Sequence, residues 1–266
     1  MAGRYLTQRS LAWAVLPVLV FCAPAEWMGR PRGLQLTSAA VAADMTQAEF
    51  EQRVPNYLLE HPEVVDDAIK RLQAKQDEQD AADAKVALKA HTAEVFNDPD
   101  SPVGGNSSGS ATLVEFFDYN CPYCKMMTPL VTKAEAADPK LLVVYKEFPI
   151  LGPGSVFAAK AALAAAKQGK YEAFHRALYQ ARGHVDEAKV LEVAGTVGLD
   201  VGRLKVDMQD KGINEELAKN EKLAETLHIT GTPGFVISDQ VTTGATDFKT
   251  FQSLIGKATK ADQATK

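Results

Sequence analysis

The sequence has little of the features by which several large protein classes are recognised. No run of lysine and arginine occurs in its 266 residues and the net charge is -5, so electrostatics gives no support for a nucleic-acid partner. Cysteine is scarce: there are three, and two of them are separated by only two residues. Such a pair closes almost no loop, so it indicates chemistry rather than a stabilising disulfide scaffold.

The chain also lacks a long uninterrupted apolar run, although its first residues carry a short one. Arg4 and Arg9 give a positively charged start, and an apolar stretch follows over residues 11–25. A membrane-spanning helix needs about 20 apolar residues, so this shorter stretch is typical of a secretory signal. Export implies an oxidising compartment, in which thiol-disulfide chemistry has substrates.

Two cleavage sites fit this signal. We expect a signal peptide over residues 1–43, cleaved near Ala42 or Ala43, because the stretch between the two candidate sites shows no folding pattern. Cleavage after Ala25, an uncleaved anchor and lipid modification at Cys22 are the alternatives.

Residues 44–98 predict a helical N-terminal arm. A capping box at residues 46–49 starts a first helix, which Pro55 should shorten or kink, and Pro62 starts a second helix expected to run to about Phe96. Most of this second helix is polar, so we expect it to form a solvated stalk or to contact other subunits, and not to join a core. The apolar residues to be buried against copies of the chain are Phe50, Val54, Tyr57, Leu58, Val65, Ile69 and Leu72.

Residues 99–259 predict a catalytic domain of the α/β class, followed by a polar tail at 260–266. Short apolar runs indicate strands. A long insertion at about 155–227 is expected to be largely helical, with helices at residues 158–166, 171–179, 187–197 and 214–227. The order of elements favours a thioredoxin-like fold with a helical insertion, preceded by the helical arm. The expected strands lie at residues 112–117, 141–145, 235–237 and 241–243, and the last helix at 247–255.

The close cysteine pair forms the motif Cys121-Pro122-Tyr123-Cys124, where a predicted strand meets a predicted helix. Amide groups and the dipole at a helix N-terminus favour a thiolate, so Cys121 is the expected nucleophile. Cys124 follows about one turn later and can resolve a mixed disulfide. Half of a zinc site is the alternative, but zinc needs about four ligands and the five histidines are scattered. We expect no metal and no cofactor.

Three segments carry a resemblance to a known family. Residues 113–125 (LVEFFDYNCPYCK), 146–150 (KEFPI) and 231–237 (GTPGFVI) resemble the DsbA-like family of bacterial disulfide oxidoreductases. The resemblance implies that Pro233 is cis and faces the cysteines, and that Thr232 offers its backbone to the substrate. The substrate-binding residues expected from the motif and the resemblance are Pro122, Tyr123, Thr232 and Pro233.

Glu115 is an acid inside an apolar strand. Burial of a carboxylate is costly unless it is neutral or paired, so we expect its pKa to be raised. The resemblance implies a catalytic role for Glu115, namely proton transfer toward Cys124. The alternative is a glutamate on an edge strand in contact with water.

The arm resembles the leader of the ScsC-like, suppressor-of-copper-sensitivity branch of the same family. In some members of that branch the arm holds several subunits together. This resemblance and the apolar residues of the long arm predict a homo-oligomer, with a trimer favoured, and the export signal predicts the periplasm. The Pro-Tyr dipeptide and Thr232 resemble isomerase-type members, so we expect an isomerase or reductase. Its expected partners are unfolded or misfolded exported proteins and a membrane redox protein that recycles the thiol pair. The alternatives are a monomeric DsbA-type oxidase and, from another class, a non-redox periplasmic chaperone or copper-binding module.

Overall fold

The computed structural model describes residues 45–247 and 249–256. By their internal contacts, the described residues up to Tyr57 and those from Leu58 onward form two units. The expected signal peptide, its cleavage sites, Cys22 and the tail at 260–266 lie outside the described residues. In the part of the chain that the structure describes, no helix has both the length and the apolar character needed to cross a membrane.

Helix α1 (Gln47–Glu60) begins with the predicted capping box. The backbone N–H of Thr46 donates to Glu49 Oε2 at 3.0 Å, and the N–H of Glu49 donates to Thr46 Oγ1 at 3.3 Å. The helix continues through Pro55 to Glu60, so Pro55 does not shorten it. None of its residues is buried, and water can therefore solvate the carbonyl group that proline leaves without an N–H donor.

The second predicted helix is divided in two. Helix α2 (Pro62–Ala90) ends one residue before His91, and α3 (Thr92–Phe96) follows. The last turns of α2 also differ from the expected stalk, because Ala84 and Leu88 are buried. The sparse apolar residues of this stretch fall on one face and are enough to pack it on the following domain.

The domain is built on a mixed sheet of five strands with the order β1-β3-β2-β4-β5. The central strand β2 runs parallel to β3 and antiparallel to β4, while β1 and β5 pair antiparallel at the two edges. The edge strand β1 was not predicted, because its Gly-rich sequence is typical of a linker. The strands are β1 (Val103–Gly105), β2 (Ala111–Phe117), β3 (Leu141–Glu147), β4 (Gly234–Ile237) and β5 (Gln240–Thr243).

Helices cover both faces of this sheet. Between β2 and β3 lies α4, and a long helical insertion separates β3 from β4, as predicted. The insertion contains one helix, α8, that the sequence analysis did not predict. The α/β architecture with a helical arm and a helical insertion is confirmed. The helices are α4 (Pro122–Ala137), α5 (Pro153–Ala166), α6 (Tyr171–Gln180), α7 (Glu187–Thr196), α8 (Val201–Asp207) and α9 (Lys211–Thr226), and residues 249–256 are also helical.

Alternation along β2 divides the core into two parts. Leu113 and Phe117 join the cluster that contains Cys121, Cys124 and the insertion. Val114 and Phe116 join the opposite cluster, to which α2, α3 and α9 contribute Leu88, Val95 and Leu223. Since successive side chains of a strand point to opposite faces, Glu115 lies on the same face as Leu113 and Phe117.

A buried ion pair fastens the end of α3 to the sheet. Lys146 of β3 is fully buried, and its Nζ lies 2.7 Å from Asp98 Oδ2. Lys219 of α9 lies 2.8 Å from the same oxygen. Burial works against ionisation of Asp98, but hydrogen bonds from the two lysines lower its pKa to about 2. Loss of one partner would leave an uncompensated charge inside the protein, so the pair fixes where the arm joins the domain.

Candidate active site

The two cysteines lie where the central strand passes into helix α4. Cys121 is the N-cap residue of α4, and the backbone N–H of Cys124 donates to Cys121 Sγ at 3.4 Å. Both residues are free thiols, Cys121 with 3% of its surface exposed and Cys124 with none. The sulfur of Cys121 therefore lies at the N-terminal amides and the positive end of the dipole of α4.

The loop before Cys121 is held by two residues that the sequence analysis missed. Asp118 accepts hydrogen bonds from the backbone N–H groups of Asn120 and Leu151, at 2.8 and 2.9 Å. Asn120 exchanges two hydrogen bonds with the backbone of Val185, at 3.0 and 2.8 Å. Their position between a strand and a helix, where Asp and Asn commonly stabilise turns, was the available signal. Together they join the cysteine loop to the helical insertion.

Thr232 and Pro233 lie against the nucleophilic cysteine. The peptide bond between them is cis, and Cys121 Sγ donates to the carbonyl oxygen of Thr232 at 3.2 Å. Pro233 is buried and Thr232 is partly exposed. Two segments that are 111 residues apart in the chain are thus brought together at the sulfur.

In the first turns of α4, some side chains are exposed to solvent and others are buried. Tyr123 is 59% exposed and Met126 is 55% exposed, whereas Met127 is buried. Pro122 starts the helix, the position at which proline is favoured. Exposed apolar residues beside a reactive thiol provide a surface on which an apolar polypeptide segment can lie.

Glu115 is buried in the central strand, which rules out the edge-strand alternative. It pairs with Tyr145 of β3 and Phe235 of β4, and only 2% of its surface is exposed. Its Oε1 atom has no hydrogen-bond partner among the described residues. Burial, and then the charge of Glu135, raise the pKa of Glu115 to about 8. The predicted upward shift is confirmed.

Glu115 and Cys124 influence each other electrostatically. Burial raises the pKa of the Cys124 thiol far above its ordinary value, and the charge of Glu115 raises it further. An ionised Glu115 therefore opposes ionisation of Cys124.

A second buried acid lies behind the cysteine loop. The hydroxyl groups of Tyr119 and Tyr171 donate to Glu147 Oε1 at 2.9 and 2.8 Å, and Tyr119 Oη lies 3.1 Å from His175 Nδ1. Burial raises the pKa of Glu147 and lowers that of His175 to about 3, so the imidazole is neutral. This network packs the insertion helix α6 against the sheet.

One group of acids has the spacing of metal ligands. Carboxylate oxygens of Asp98, Asp100 and Glu216 lie within 4.8 Å of one another. The ammonium group of Lys219 contacts all three, and Lys146 also contacts Asp98. Two lysines already balance these carboxylates, so the group fits an ion-pair network better than a cation site.

The fold and the cysteine pair define the class of protein. Three features of the structure are typical of thiol-disulfide oxidoreductases. They are the mixed sheet, the cysteine pair at the start of the helix after the central strand, and the proline segment against the first sulfur. Residues 112–256 match the DSBA-like thioredoxin domain, and residues 47–79 match the copper resistance protein ScsC N-terminal domain. The chain belongs to the DSBA-like thioredoxin domain family, which confirms the resemblance of both segments.

Solved structures agree with this assignment. A thioredoxin-like oxidoreductase from Silicibacter pomeroyi DSS-3 is 46% identical, with a TM-score of 0.62 over 63% of this chain and 97% of that one. Proteus mirabilis ScsC in a transitional conformation is 29% identical, with a TM-score of 0.62 over 80% of this chain and 97% of that one.

Curated relatives include both small and large proteins. The thiol:disulfide interchange protein DsbA of Bordetella parapertussis is 25% identical over 169 residues, which are 59% of this chain and 77% of that protein. The Na(+)/H(+) antiporter NhaA 3 of Salinispora tropica is 29% identical over 144 residues, which are 53% of this chain. The match spans only 22% of the antiporter's length.

The raised pKa of Glu115 predicts a specific dependence of stability on pH. Between the ordinary value of 4.5 and the folded value of about 8, the folded protein binds more protons than the unfolded chain. Its free energy of unfolding should therefore fall as pH rises through this window, by up to about 1.4 kcal/mol per pH unit. Glu115→Gln should reduce this slope by the contribution of one carboxyl group in urea unfolding of the reduced protein, while the buried Glu147, whose pKa is also raised, keeps its own contribution. The exposed Glu215→Gln should leave the wild-type slope unchanged, and equal slopes in wild type and Glu115→Gln would contradict the assignment.

Proposed function

We propose that this protein is an exported protein disulfide oxidoreductase that works in the periplasm through Cys121 and Cys124, as an isomerase or reductase. The observation that carries the proposal is the position of Cys121 Sγ, at the N-terminus of α4 and 3.2 Å from the carbonyl oxygen of Thr232. A thiolate in that position can attack a disulfide of a polypeptide lying along the Thr232 backbone.

The exchange proceeds in two steps that balance electrons and protons. The Cys121 thiolate attacks one sulfur of the substrate disulfide, which forms a mixed disulfide and releases the other sulfur as a thiolate that takes a proton. Cys124 then attacks Cys121 Sγ, breaks the mixed disulfide and releases the second substrate thiol. The pair gives up two electrons and becomes a disulfide. In isomerisation, a substrate thiolate attacks the mixed disulfide instead, and the pair remains reduced.

Glu115 has the catalytic role of moving the proton of Cys124. The buried thiol is a poor nucleophile, because its pKa is raised by burial and by the neighbouring acid. The carboxylate of Glu115 accepts this proton as Cys124 attacks, and returns it when the pair is reduced again. A group with a pKa of about 8 is suited to a reversible transfer near neutral pH.

Pro122, Tyr123, Thr232 and Pro233 form the proposed substrate-binding surface. Tyr123 supplies an exposed ring and Thr232 a backbone carbonyl group, which suits an extended, apolar segment of an unfolded or misfolded exported protein. A membrane redox protein is the proposed partner that recycles the pair. A monomeric dithiol oxidase is the alternative, and the redox state of the pair in intact cells decides between them: mostly reduced for an isomerase or reductase, mostly oxidised for an oxidase.

The first prediction of the proposed function concerns the different roles of the two cysteines. Cys121→Ser should abolish insulin reduction and the refolding of a protein with scrambled disulfides, because the nucleophile is lost. In Cys124→Ser, Cys121 should still attack the substrate disulfide, but the mixed disulfide should accumulate because the resolving thiol is lost. Mass spectrometry detects this species. Undiminished activity of Cys121→Ser would exclude the oxidoreductase and favour a chaperone. Stoichiometric Cu(I) binding by an exchange-inactive wild type would favour a copper-binding module.

The second prediction concerns Glu115. Glu115→Gln cannot accept the proton of Cys124, so we expect resolution of the mixed disulfide to slow by about 100-fold, the lower end of general acid–base contributions. The wild-type rate should rise with pH toward about 8, as Glu115 ionises, and the variant should lack this rise. Stopped-flow measurement of resolution gives both results, and identical pH profiles would show that Glu115 is not the proton acceptor.

The arm supports assembly into a homo-oligomer, for which we propose a trimer. Phe50, Val54 and Tyr57 follow one another at helical spacing in α1, and each is more than a third exposed. Val65, Ile69 and Leu72 repeat this spacing in α2, with exposures of 41%, 50% and 68%. Each stripe leaves apolar surface in water, and burial against the same stripe of other copies removes it.

The third prediction tests this assembly. Light scattering on the mature protein at micromolar concentration should give a multiple of the chain mass. Ile69→Asp should shift it toward the monomer, because a charge would enter the buried stripe. Ala74→Asp is the matched control, since it adds the same charge to the opposite, exposed face of α2. A monomeric wild type, or equal dissociation of both variants, would contradict the proposal.

Deletion of residues 44–79 tests whether the arm serves isomerisation. The deletion stops there because Ala84 and Leu88 belong to the buried part of the next domain. Loss of assembly together with loss of isomerase activity, but not of insulin reduction, would support the link. Loss of assembly with unchanged isomerase activity would refute it.

A further inference from the structure

A second glutamate, Glu135, is fixed on the same side of the sheet as Glu115. Tyr145, the neighbour of Glu115 in the strand register, donates its hydroxyl hydrogen to Glu135 Oε1 at 3.2 Å. Arg176 of α6 donates to the other oxygen, Glu135 Oε2, at 2.8 Å. Only 7% of the Glu135 side chain is exposed. The carboxylate therefore has a defined position, set by a tyrosine from the sheet and an arginine from the insertion.

Helix α4 carries both Glu135 and the resolving cysteine. Cys124 and Glu135 are eleven residues apart in α4, about three turns or 16 Å, so both lie on one face of the helix. Cys124 joins the cluster of Leu113 and Tyr145, which is the side of the sheet on which Glu115 lies. Glu115, Cys124 and Glu135 thus lie on the same side of the sheet, with the thiol toward the N-terminus of α4 and the carboxylate of Glu135 toward its C-terminus.

Four titratable groups from three elements act on or beside Glu115. Cys124 and Glu135 come from α4, Tyr145 from β3 and Tyr179 from α6. Burial raises the pKa values of the thiol and of both phenols, so these three groups are neutral near pH 7.

Glu135 differs from these three groups. Burial raises its pKa and the neighbouring Glu172 adds to this effect, while Arg176 and Tyr145 favour the carboxylate. Arg176 also contacts Glu172, and the ring of Tyr145 packs against the neutral imidazole of His175. Among these four groups, Glu135 is the one whose charge acts on the pKa of Glu115.

We propose that Glu135, fixed by Arg176 and Tyr145, is a positioning residue that controls proton exchange between Glu115 and Cys124. A carboxylate in this position disfavours a second negative charge on Glu115 and so keeps its proton in place until a base or thiolate takes it. The role of Glu135 in exchange rests on the proposed function. Its effect on the protonation of Glu115 can be measured without any substrate.

The test is an infrared titration of the buried carboxyl group. The full chain is kept reduced and titrated between about pH 5 and 10, and the carbonyl band of protonated Glu115 is identified by its loss in Glu115→Gln. Glu135→Gln keeps the shape of the side chain and an acceptor for Tyr145 but removes the charge. We expect the midpoint of Glu115 to fall by about one pH unit, the size expected for one nearby like charge.

Two further variants separate position from charge alone. Glu172→Gln removes the other carboxylate bound to Arg176, but this side chain is 46% exposed, and we expect no measurable shift. Tyr145→Phe removes the hydroxyl group that holds Glu135. In this variant the midpoint of Glu115 should also fall, but by less than in Glu135→Gln. An unchanged midpoint in Glu135→Gln, or an equal shift in Glu172→Gln, would overturn the proposal.

The rate of mixed-disulfide resolution provides the second readout. In Glu135→Gln its pH dependence should move to lower pH by the same interval as the infrared midpoint. A shifted infrared midpoint with an unshifted rate profile would overturn the role of Glu135 in exchange. If the wild type shows no exchange at all, the proposed function fails, and the infrared titration still decides whether Glu135 controls the protonation of Glu115.

Discussion

The cost of placing a carboxyl group inside the core governs the chemistry of this protein. Glu115 lies on the central strand with neighbours on both sides, so water cannot solvate its charge. The group therefore holds a proton at pH values where an exposed glutamate would be ionised. In the proposed function, this is the proton that Glu115 exchanges with the buried thiol of Cys124. An exposed acid at the same position in the sequence would have no such function.

The first cysteine is subject to a different constraint. Cys121 lies at the N-terminus of α4, where backbone groups alone act on its sulfur. In the proposed function the substrate lies along Thr232, which the sheet brings to the same sulfur from a distant part of the chain. Asp118 and Asn120 then fix the loop between strand and helix, so that the position of the sulfur depends on the helical insertion as well as on the sheet.

The buried ionisable groups on the two faces of the sheet differ in whether they have a partner of opposite charge. On the face opposite the cysteines, Lys146 is paired with Asp98 and the pair stays charged. On the cysteine face, no cation among the described residues pairs with Glu115, and burial raises its pKa to about 8. Paired burial fixes the arm to the domain, while unpaired burial supplies a titratable group near neutral pH. The same physical cost thus supports a structural role on one face and a chemical role on the other.

The sequence by itself determined the class of fold, the cysteine pair, the acid in the strand and most of the elements. These features depend on local pattern: apolar runs for β2, β3 and β4, helical spacing for the insertion, and two cysteines at a strand-to-helix junction. The edge strand β1 and helix α8 were not predicted, because a Gly-rich strand and a short helix have weak local patterns. The burial of Ala84 and Leu88 was not predicted, because few apolar residues mark that part of α2.

Tertiary structure alone decided which distant groups meet. The contact of Cys121 with Thr232, the bonds of Asn120 to Val185, and the fixing of Glu135 by Tyr145 and Arg176 each join residues from separate elements. Strand register and helix packing set these distances, and neither is encoded in any local window of the sequence. The sequence therefore identified the cysteine pair and the acid, whereas the packing of the sheet and the helical insertion set their electrostatic environment.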